Sequence, residues 1–477
     1  MTALLFLSVL AGCAVGPDYQ RPETAVPNQY SGPEPTVEAA ELDLARWWTV
    51  FDDPMLNDLV QKAAAANLDL KLAEARVRRA RAAKAVAAGG LGPTLDGSGS
   101  YKRSESAVTT ATGGSESVTG DLYRGGFDAA WEIDIFGSRR RSLEAAEADL
   151  QSAVEDHRAV LVSLMAEVAG NYIQLRGYQQ QIEITRQNLA AQQHSTRLTR
   201  ERFEGGFVSG LDVANAEAQS AATSAQIPLL ESLARQTIYS LSILIGEPPA
   251  ALDAQLSPAG AIPSAPPVVP LGVPSDLLRR RPDIRQAEAR IHAATARIGV
   301  AAAELFPKFT LTGSFGYQSS DFGSLLDWVN HFWSFGPSVL WRLFESGSLR
   351  ANVEVQKALQ EQELITYRQT VLNALQEVEN ALVASAKEQS HRQALVTAVT
   401  ANRKAVSLAE KLYTEGLTDF INVLQAQQSL YSTENALVQS TATVSTNLVA
   451  LYKALGGGWT EALPLPPDPQ QKDSPAP

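Results

Sequence analysis

The stretch LFPKFTLTGSFGYQ, residues 305–318, decides how the chain must be read. Past Pro307, Phe309, Leu311, Gly313, Phe315 and Tyr317 fall on one side of an extended backbone, and Thr310, Thr312, Ser314, Gly316 and Gln318 fall on the other. Strict alternation of this kind marks a strand with one apolar and one polar face. Two other segments repeat the pattern. Phe127, Ala129, Trp131, Ile133 and Ile135 oppose Asp128, Glu132 and Asp134, and Phe335, Val339, Trp341 and Leu343 oppose Ser334, Ser338 and Arg342. A weaker, Gly-rich fourth runs from Leu95 to Arg103. Each approaches the ~10 residues of a bilayer-crossing strand, and Trp333, Trp341 and Tyr101 suit the interfaces. An ordinary half-buried sheet alternates in the same way, and the strands alone leave that alternative open. Four strands do not close a barrel, because the smallest barrels use about eight. A membrane sheet here must be completed by other copies of the chain. Its polar side, bearing Asp128, Glu132 and Asp134, would then line a water-filled lumen mildly favourable to cations; simple solvation is the alternative.

The sequence beyond the strands is helical. No Gly or Pro occurs from Ser348 to Glu415, a run that would extend ~100 Å as one helix. Ser138 to Glu204 contains no Pro, and only Gly170 and Gly177 interrupt it. Each run leads through a Gly-containing turn into a second, Leu211 to Ile245 (broken by Pro228) and Leu417 to Leu455. Apolar positions are mixed with Ala and Ser, which favours close, coiled-coil-like packing. The helices alone also suit a solid coiled-coil spacer. Helices leading directly out of strands favour a continuing tube.

The chain is also written twice. Leu70, Ala73 to Arg76 and Pro93 match Ile284, Ala287 to Arg290 and Pro307; Glu167-Val168 matches Glu377-Val378. Phe203, Gly206, Leu211, Val213 and Ala216 match Tyr413, Gly416, Ile421, Val423 and Ala426, and Leu241, Ile245 and Gly246 match Leu451, Leu455 and Gly456. Four matches in order at one offset of about 210 residues predict two halves with one structure: short helix, two strands, long helix, turn, shorter helix. The division expected is a signal segment over 1–12, an N-terminal segment over 13–54, a first repeat over 55–246, a Pro-rich linker over 247–274, a second repeat over 275–456 and a tail over 457–477, disordered where it turns Pro-rich.

Bulk properties exclude several functions. The 477 residues carry a formal net charge of -12 and a pI near 5.1, the wrong sign for a nucleic-acid partner. No apolar run after the N-terminus reaches the ~18 residues of a spanning helix, so any span is made of strands. His157, His194, His292, His331 and His391 are scattered, and none stands at metal-ligand spacing with another His or with the one Cys. No Gly-x-Ser-x-Gly elbow or phosphate loop occurs. Neither an enzyme nor a cofactor is expected. Arg139-Arg140-Arg141 and Arg279-Arg280-Arg281 are read as solvated charge runs, the first near the border of the barrel and the second just before a helix start at Pro282.

At the N-terminus a short apolar run, Leu4 to Leu10, ends in Leu10-Ala11-Gly12-Cys13. Small residues before a cleavage point mark a secretory signal, although no Lys or Arg precedes Leu4. The order resembles a bacterial lipobox, which makes Cys13 the expected site of lipid attachment. Ala14 after it fits outer-membrane sorting by the same resemblance. Several acyl chains would anchor the chain stably where one would not.

Five phrases carry a wider resemblance: Gly12 to Tyr19 (GCAVGPDY); Trp47-Trp48 with Phe51-Asp52-Asp53-Pro54; Trp131 to Gly137 (WEIDIFG); Arg280-Arg281-Pro282-Asp283-Ile284 with Ala287-Glu288; and Leu305-Phe306-Pro307. With the repeat, they identify the chain as resembling the TolC-like outer-membrane factors of tripartite efflux systems, closest to the NodT/OprM-type lipoprotein branch. The resemblance implies a homotrimer sharing a twelve-stranded β-barrel in the outer membrane. It also implies a periplasmic helical α-barrel with an equatorial belt, a periplasmic adaptor protein as partner at its tip, and an inner-membrane RND-type pump behind that adaptor. Such a duct passes small molecules passively; a duct for protein or peptide secretion and a structural coiled-coil lipoprotein are the alternatives. The same resemblance assigns Gly205, Gly206, Val208 and Ser209, with Gly416, Leu417 and Thr418, to an adaptor-docking tip. It places Ile421 at an apolar constriction. Gln425 and Gln428 stand where related channels often carry an acidic residue and an Arg, a departure from a charged gate. Asp419 and Asp212 are the nearby carboxylates that could act instead, by mutual repulsion across a ring, or could be solvated tip residues.

Overall fold

A computed structural model describes residues 14–31, 44–109, 113, 115–264 and 274–460. Cys13 and the signal segment lie outside the described residues. In chain order the helices and strands are α1 (Pro54–Ala66), α2 (Leu68–Gly89), β1 (Thr94–Thr109), β2 (Ser115–Ile133), α3 (Ser138–Glu204), α4 (Gly210–Leu244), α5 (Asp253–Leu256), α6 (Pro274–Arg280), α7 (Pro282–Ala303), β3 (Lys308–Ser319), β4 (His331–Leu340), α8 (Ser348–Thr414) and α9 (Phe420–Ala454). The two halves agree to the residue in three helix pairs: α2 and α7 each have 22, α3 and α8 each 67, α4 and α9 each 35. They differ in the short helices α1 and α6, of 13 and 7 residues, and in the hairpins, whose strands have 16 and 19 residues in the first and 12 and 10 in the second.

Strand bounds depart from the sequence reading. β1 runs on to Thr109, and β2 starts at Ser115 rather than near Phe127. This outer part is mainly polar on both faces, with Arg103 opposite Asp121 and Glu105 opposite Thr119, although Ser106 stands opposite Val118. With water on both faces nothing forces the side chains to alternate, so the period-two signal is missing there. β4 ends at Leu340, leaving Trp341, Arg342 and Leu343 beyond it. The interhalf linker holds one helical turn, α5, and α6 already starts at Pro274. α4 runs through Pro228 without ending.

The described residues group into two compact units. One comprises residues 77–153 and 286–368 with the strap up to Glu23; the other comprises 24–76, 154–285 and 369 onward. In the first unit the N-terminal strap lies on the junctions between strands and helices. Val15 N–H donates to the Phe136 carbonyl (3.0 Å). Gly16 meets Gly299 so closely that a Cβ on Gly16 would stand 2.5 Å from the Gly299 Cα. Further along, Tyr19 stacks on His292 (4.4 Å) and Arg21 pairs with Glu288 (2.9 Å). Arg141 is not a solvated member of its run. It is buried, bonded to Asp18 (2.6 Å) and Glu144 (2.7 Å). Burial works to raise the Glu144 carboxyl, but Arg141 and His292 outweigh it and hold it below its ordinary range.

In the second unit Trp47 is buried and stacks on Tyr452 (5.3 Å), and Tyr172 donates to Asp53 (2.9 Å). Asp53 also caps α1 through the Met55 and Leu56 amides. Arg281 is buried as well, binding Asp283, Glu377 and the Ala454 carbonyl. Residues 455–460 belong to this core. Gly458 N–H donates to the Leu44 carbonyl (2.8 Å), and the Trp459 ring lies between Arg158 (4.6 Å) and Arg285 (5.2 Å).

Candidate functional site: the channel wall and the helical tip

The four strands form one antiparallel sheet in the order β1-β2-β3-β4. Directly paired residues share a face, so the register tests the alternation. Phe127 pairs with Gly97 and Phe315, Phe315 with Trp333, Trp131 with Leu311, and Phe309 with Ile133 and Val339. One face is therefore apolar across all four strands. Its large residues are exposed in the single chain: Phe127 59%, Trp333 71%, Phe335 71%. The opposite face carries the row Asp96, Asp128, Ser314, Ser334. Asp128 and Glu132 lie on it as expected. Asp96 was missed, because the Gly-rich first strand hides which of its residues matter until the register sets Asp96 beside Asp128. Like charges directly opposite destabilise a strand pair, and Ser98, 3.3 Å from Asp128, offers only one donor.

Asp134 is not on this wall. It follows the end of β2, and its carboxylate accepts from the Arg139 and Arg140 amides (3.1 and 2.9 Å). It thus satisfies free N–H groups at the start of α3. Glu132 is paired with Arg139 (2.7 Å), so the lower edge of the polar face is partly neutralised.

The two helical turns share one backbone. Gly206 and Gly416 have φ of 76° and 75°, a conformation that costs a side chain about 1–2 kcal/mol. Phe207 N–H reaches the Arg202 carbonyl and Leu417 N–H the Leu412 carbonyl, both at 2.8 Å, the six-to-one bond of a glycine-terminated helix. Val208, Ser209, Leu417 and Thr418 complete the turns. Ser209 and Asp212 form a capping box at the start of α4, so Asp212 has a structural task. Asp419 is the cap residue of α9, yet its side chain bonds no helix amide there. Arg202 was not singled out in the sequence. It donates to the Tyr413 carbonyl (2.7 Å) and the Thr414 carbonyl (3.2 Å), and its guanidinium lies 4.8 Å from the Tyr413 ring centre. Its position shows no periodicity that could have marked it.

Ile421, Gln425 and Gln428 are exposed on one stripe of α9, while Phe420, Val423 and Gln427 on the other side are buried. The spacing of four and three residues keeps the exposed three together. The buried side meets α3 along a polar seam: Gln427 to Ser195 (2.9 Å), Tyr431 to Thr185 (3.3 Å) and Glu434 to Asn188 (3.0 Å). Arg403 of α8 pairs with the same Glu434 (2.8 Å).

Comparison with known proteins adds a further observation. The family model for outer membrane efflux proteins matches residues 59–247 and again 273–457, one stretch in each half. The chain is 31% identical over 465 residues to nodulation protein T of Rhizobium leguminosarum bv. trifolii, covering 96% of this chain and 97% of that one. It is 33% identical over 466 residues to the toluene efflux pump outer membrane protein TtgC of Pseudomonas putida, covering 95% and 94%. Among solved structures, the outer-membrane channel OprN superposes with a TM-score of 0.87 at 37% identity, over 94% of this chain and 100% of that one.

Proposed function

The chain belongs to the outer membrane efflux protein family, and from that premise we propose how its parts act in a channel. It is the outer-membrane duct of a tripartite efflux system, a TolC-like homotrimer working with a periplasmic adaptor protein and an inner-membrane RND-type pump. The observation that carries the mechanism is the sheet. Among the described residues each chain has four strands with β1 and β4 as open edges, and open edges are not tolerated in lipid. Three copies, β4 of one beside β1 of the next, close twelve strands. The face bearing Phe127, Trp333 and Phe335 meets lipid, and the face bearing Asp96, Asp128 and Glu132 meets water. Substrates are small molecules expelled by the pump; the duct binds no cofactor, performs no chemistry and conducts passively.

The exposed stripe of Ile421, Gln425 and Gln428 forms the periplasmic constriction. Without ionised side chains at Gln425 and Gln428, its closed state rests on apolar contact and neutral hydrogen bonds. Asp419, two residues before Ile421 in the chain, supplies a nearby carboxylate. The turns at 205–210 and 416–419 are the adaptor-docking tip. Cys13 carries the lipid; in support, Ala14 next to it lies against Gly137, at the junction of β2 and α3 where the wall leaves the membrane. In Cys13→Ala, labelling with a fatty-acid probe is lost while the trimer persists; retained label would remove the anchor from the scheme.

The deciding experiment is the oligomer mass of the protein extracted from separated inner and outer membranes. A trimer in the outer-membrane fraction supports the shared barrel. A monomer that is not a product of detergent dissociation overturns it, since four strands cannot close.

A further inference from the structure

The loop joining β3 to β4 differs in kind from the outer part of the β1–β2 hairpin. The β1–β2 ribbon continues past Tyr101 and Tyr123 with Ser104, Glu105, Ser117 and Thr119, mainly polar on both faces, with Val118 its large exposed apolar side chain. The β3–β4 loop reads DFGSLLDWVN over residues 321–330, and it leaves Phe322 70%, Leu326 78%, Trp328 68% and Val329 84% exposed. Large apolar side chains in that density are unusual on a water-facing loop.

Part of its backbone is nonetheless bonded within the loop. Leu325 N–H bonds the Phe322 carbonyl, Asp327 N–H the Ser324 carbonyl and Asn330 N–H the Asp327 carbonyl (3.3, 3.1 and 2.8 Å). Asp321 caps the Gly323 amide (3.1 Å), and the Asn330 amide group holds the Ser324 carbonyl (2.7 Å). A loop that bonds part of its backbone internally while turning apolar side chains outward suits the interface, where headgroup water can meet the remaining amides, rather than the hydrocarbon core. It also lies on the apolar side of the sheet. Phe322 packs edge-on against Tyr123 (5.5 Å), which stacks toward Tyr101 (4.8 Å), and both tyrosines belong to the apolar face. Trp328 stacks on His331 (4.4 Å), which is paired with Tyr317 on that same face.

We propose that residues 321–330 form a lipid-inserting cap, seated at the headgroup–acyl boundary of the outer leaflet and continuous with the lipid-facing side of the barrel. Asp321 and Asp327 set its depth: carboxylates stay at headgroup level while Phe322, Leu326, Trp328 and Val329 reach below it. Of the two hairpins, one is thus an aqueous projection and the other a membrane fastening. The proposal rests on the barrel reading given above.

The test uses full-length trimers in phosphatidylcholine vesicles, with Cys13→Ala removing the native thiol. Single cysteines are introduced as Leu326→Cys and, separately, Val329→Cys, and labelled with an environment-sensitive fluorophore. Ser106→Cys on the polar ribbon and Phe335→Cys on the strand face serve as references. At both loop positions the label should be quenched several-fold more by spin-labelled lipid than at Ser106→Cys, and less by aqueous iodide. Iodide quenching equal to that at Ser106→Cys overturns the cap. Protection from both quenchers also overturns it, by showing that a neighbouring copy covers the loop. Phe335→Cys separates the two levels: if it is lipid-quenched while the loop is not, only the cap fails, and if it too is reached by iodide, the barrel reading fails.

Discussion

The turns after α3 and α8 occupy equivalent places in the two repeats and have the same backbone, yet they are packed differently. After α3, Phe203 and Leu211 are 47% and 68% exposed. After α8, the equivalent of Phe203 is Tyr413, which is buried and faces Phe420 (5.5 Å). Phe420 itself stands where the first repeat has Gly210. The cluster around Tyr413 and Phe420 includes Ala216 and takes in Leu198 and Val208, all from the first repeat. Arg202, also from the first repeat, holds the last carbonyls of α8. One turn is thus free at its apolar surface, and the other is secured by its counterpart. A duplicated sequence sets two equal turns; which one becomes the anchored partner is decided by a few side chains that differ between copies.

The comparison can be broken most forcibly with Tyr413→Ala. Emptying that buried site costs roughly 3 kcal/mol, removes the hydroxyl bond to Thr199 and takes the ring away from the Arg202 guanidinium, whose bonds to the backbone carbonyls remain. Hydrogen exchange should rise more at the α8–α9 turn than at the α3–α4 turn, which loses only the packing of Val208. Equal changes at both turns would show that the packing difference has no energetic consequence. Arg202→Ala removes two charge-assisted bonds to carbonyls and one ring contact, a loss of about 1–2 kcal/mol. Arg202→Lys should restore only part of it, because a single ammonium cannot reproduce the fork; exchange at residues 414–417 reports both. Gly206→Ala and Gly416→Ala sharpen the comparison from the other side. Their backbones match, so each should cost about 1 kcal/mol, and a large inequality in their effect on exchange would mean that the turns are not the same structure. Ile421→Ala has the smallest effect on stability, since the side chain is 44% exposed. Its consequence belongs to conduction: larger single-channel conductance and greater uptake of bulky antibiotics, whereas unchanged values would take Ile421 out of the constriction.

Much of this architecture was legible in the residues. Runs poor in Gly and Pro marked the long helices at nearly their true lengths, and the alternation at Phe309 to Gln318 marked both faces of the sheet. What escaped was governed by partners distant in sequence. Arg141 and Arg281 each sit in a run of three arginines, and nothing local distinguishes the buried one. Asp18 lies 123 residues from Arg141, and Glu377 lies 96 residues from Arg281. Asp134 kept the alternation of its strand but is claimed by the next helix. Asp96 gained meaning only through its neighbour across the hairpin, and Trp459 only through Arg158 and Arg285.

By itself the sequence determined the repeat, the helix lengths, the two-faced strands and the need for further copies. These follow from local periodicity and from a strand count too small to close, which are properties of the chain taken a few residues at a time. The tertiary structure decided which charges are buried, which of two equal turns is anchored, and on which side of the sheet an aromatic loop lies. Those depend on side chains brought together from far apart, where the cost of burying a charge or exposing a ring is set by neighbours that no local pattern names.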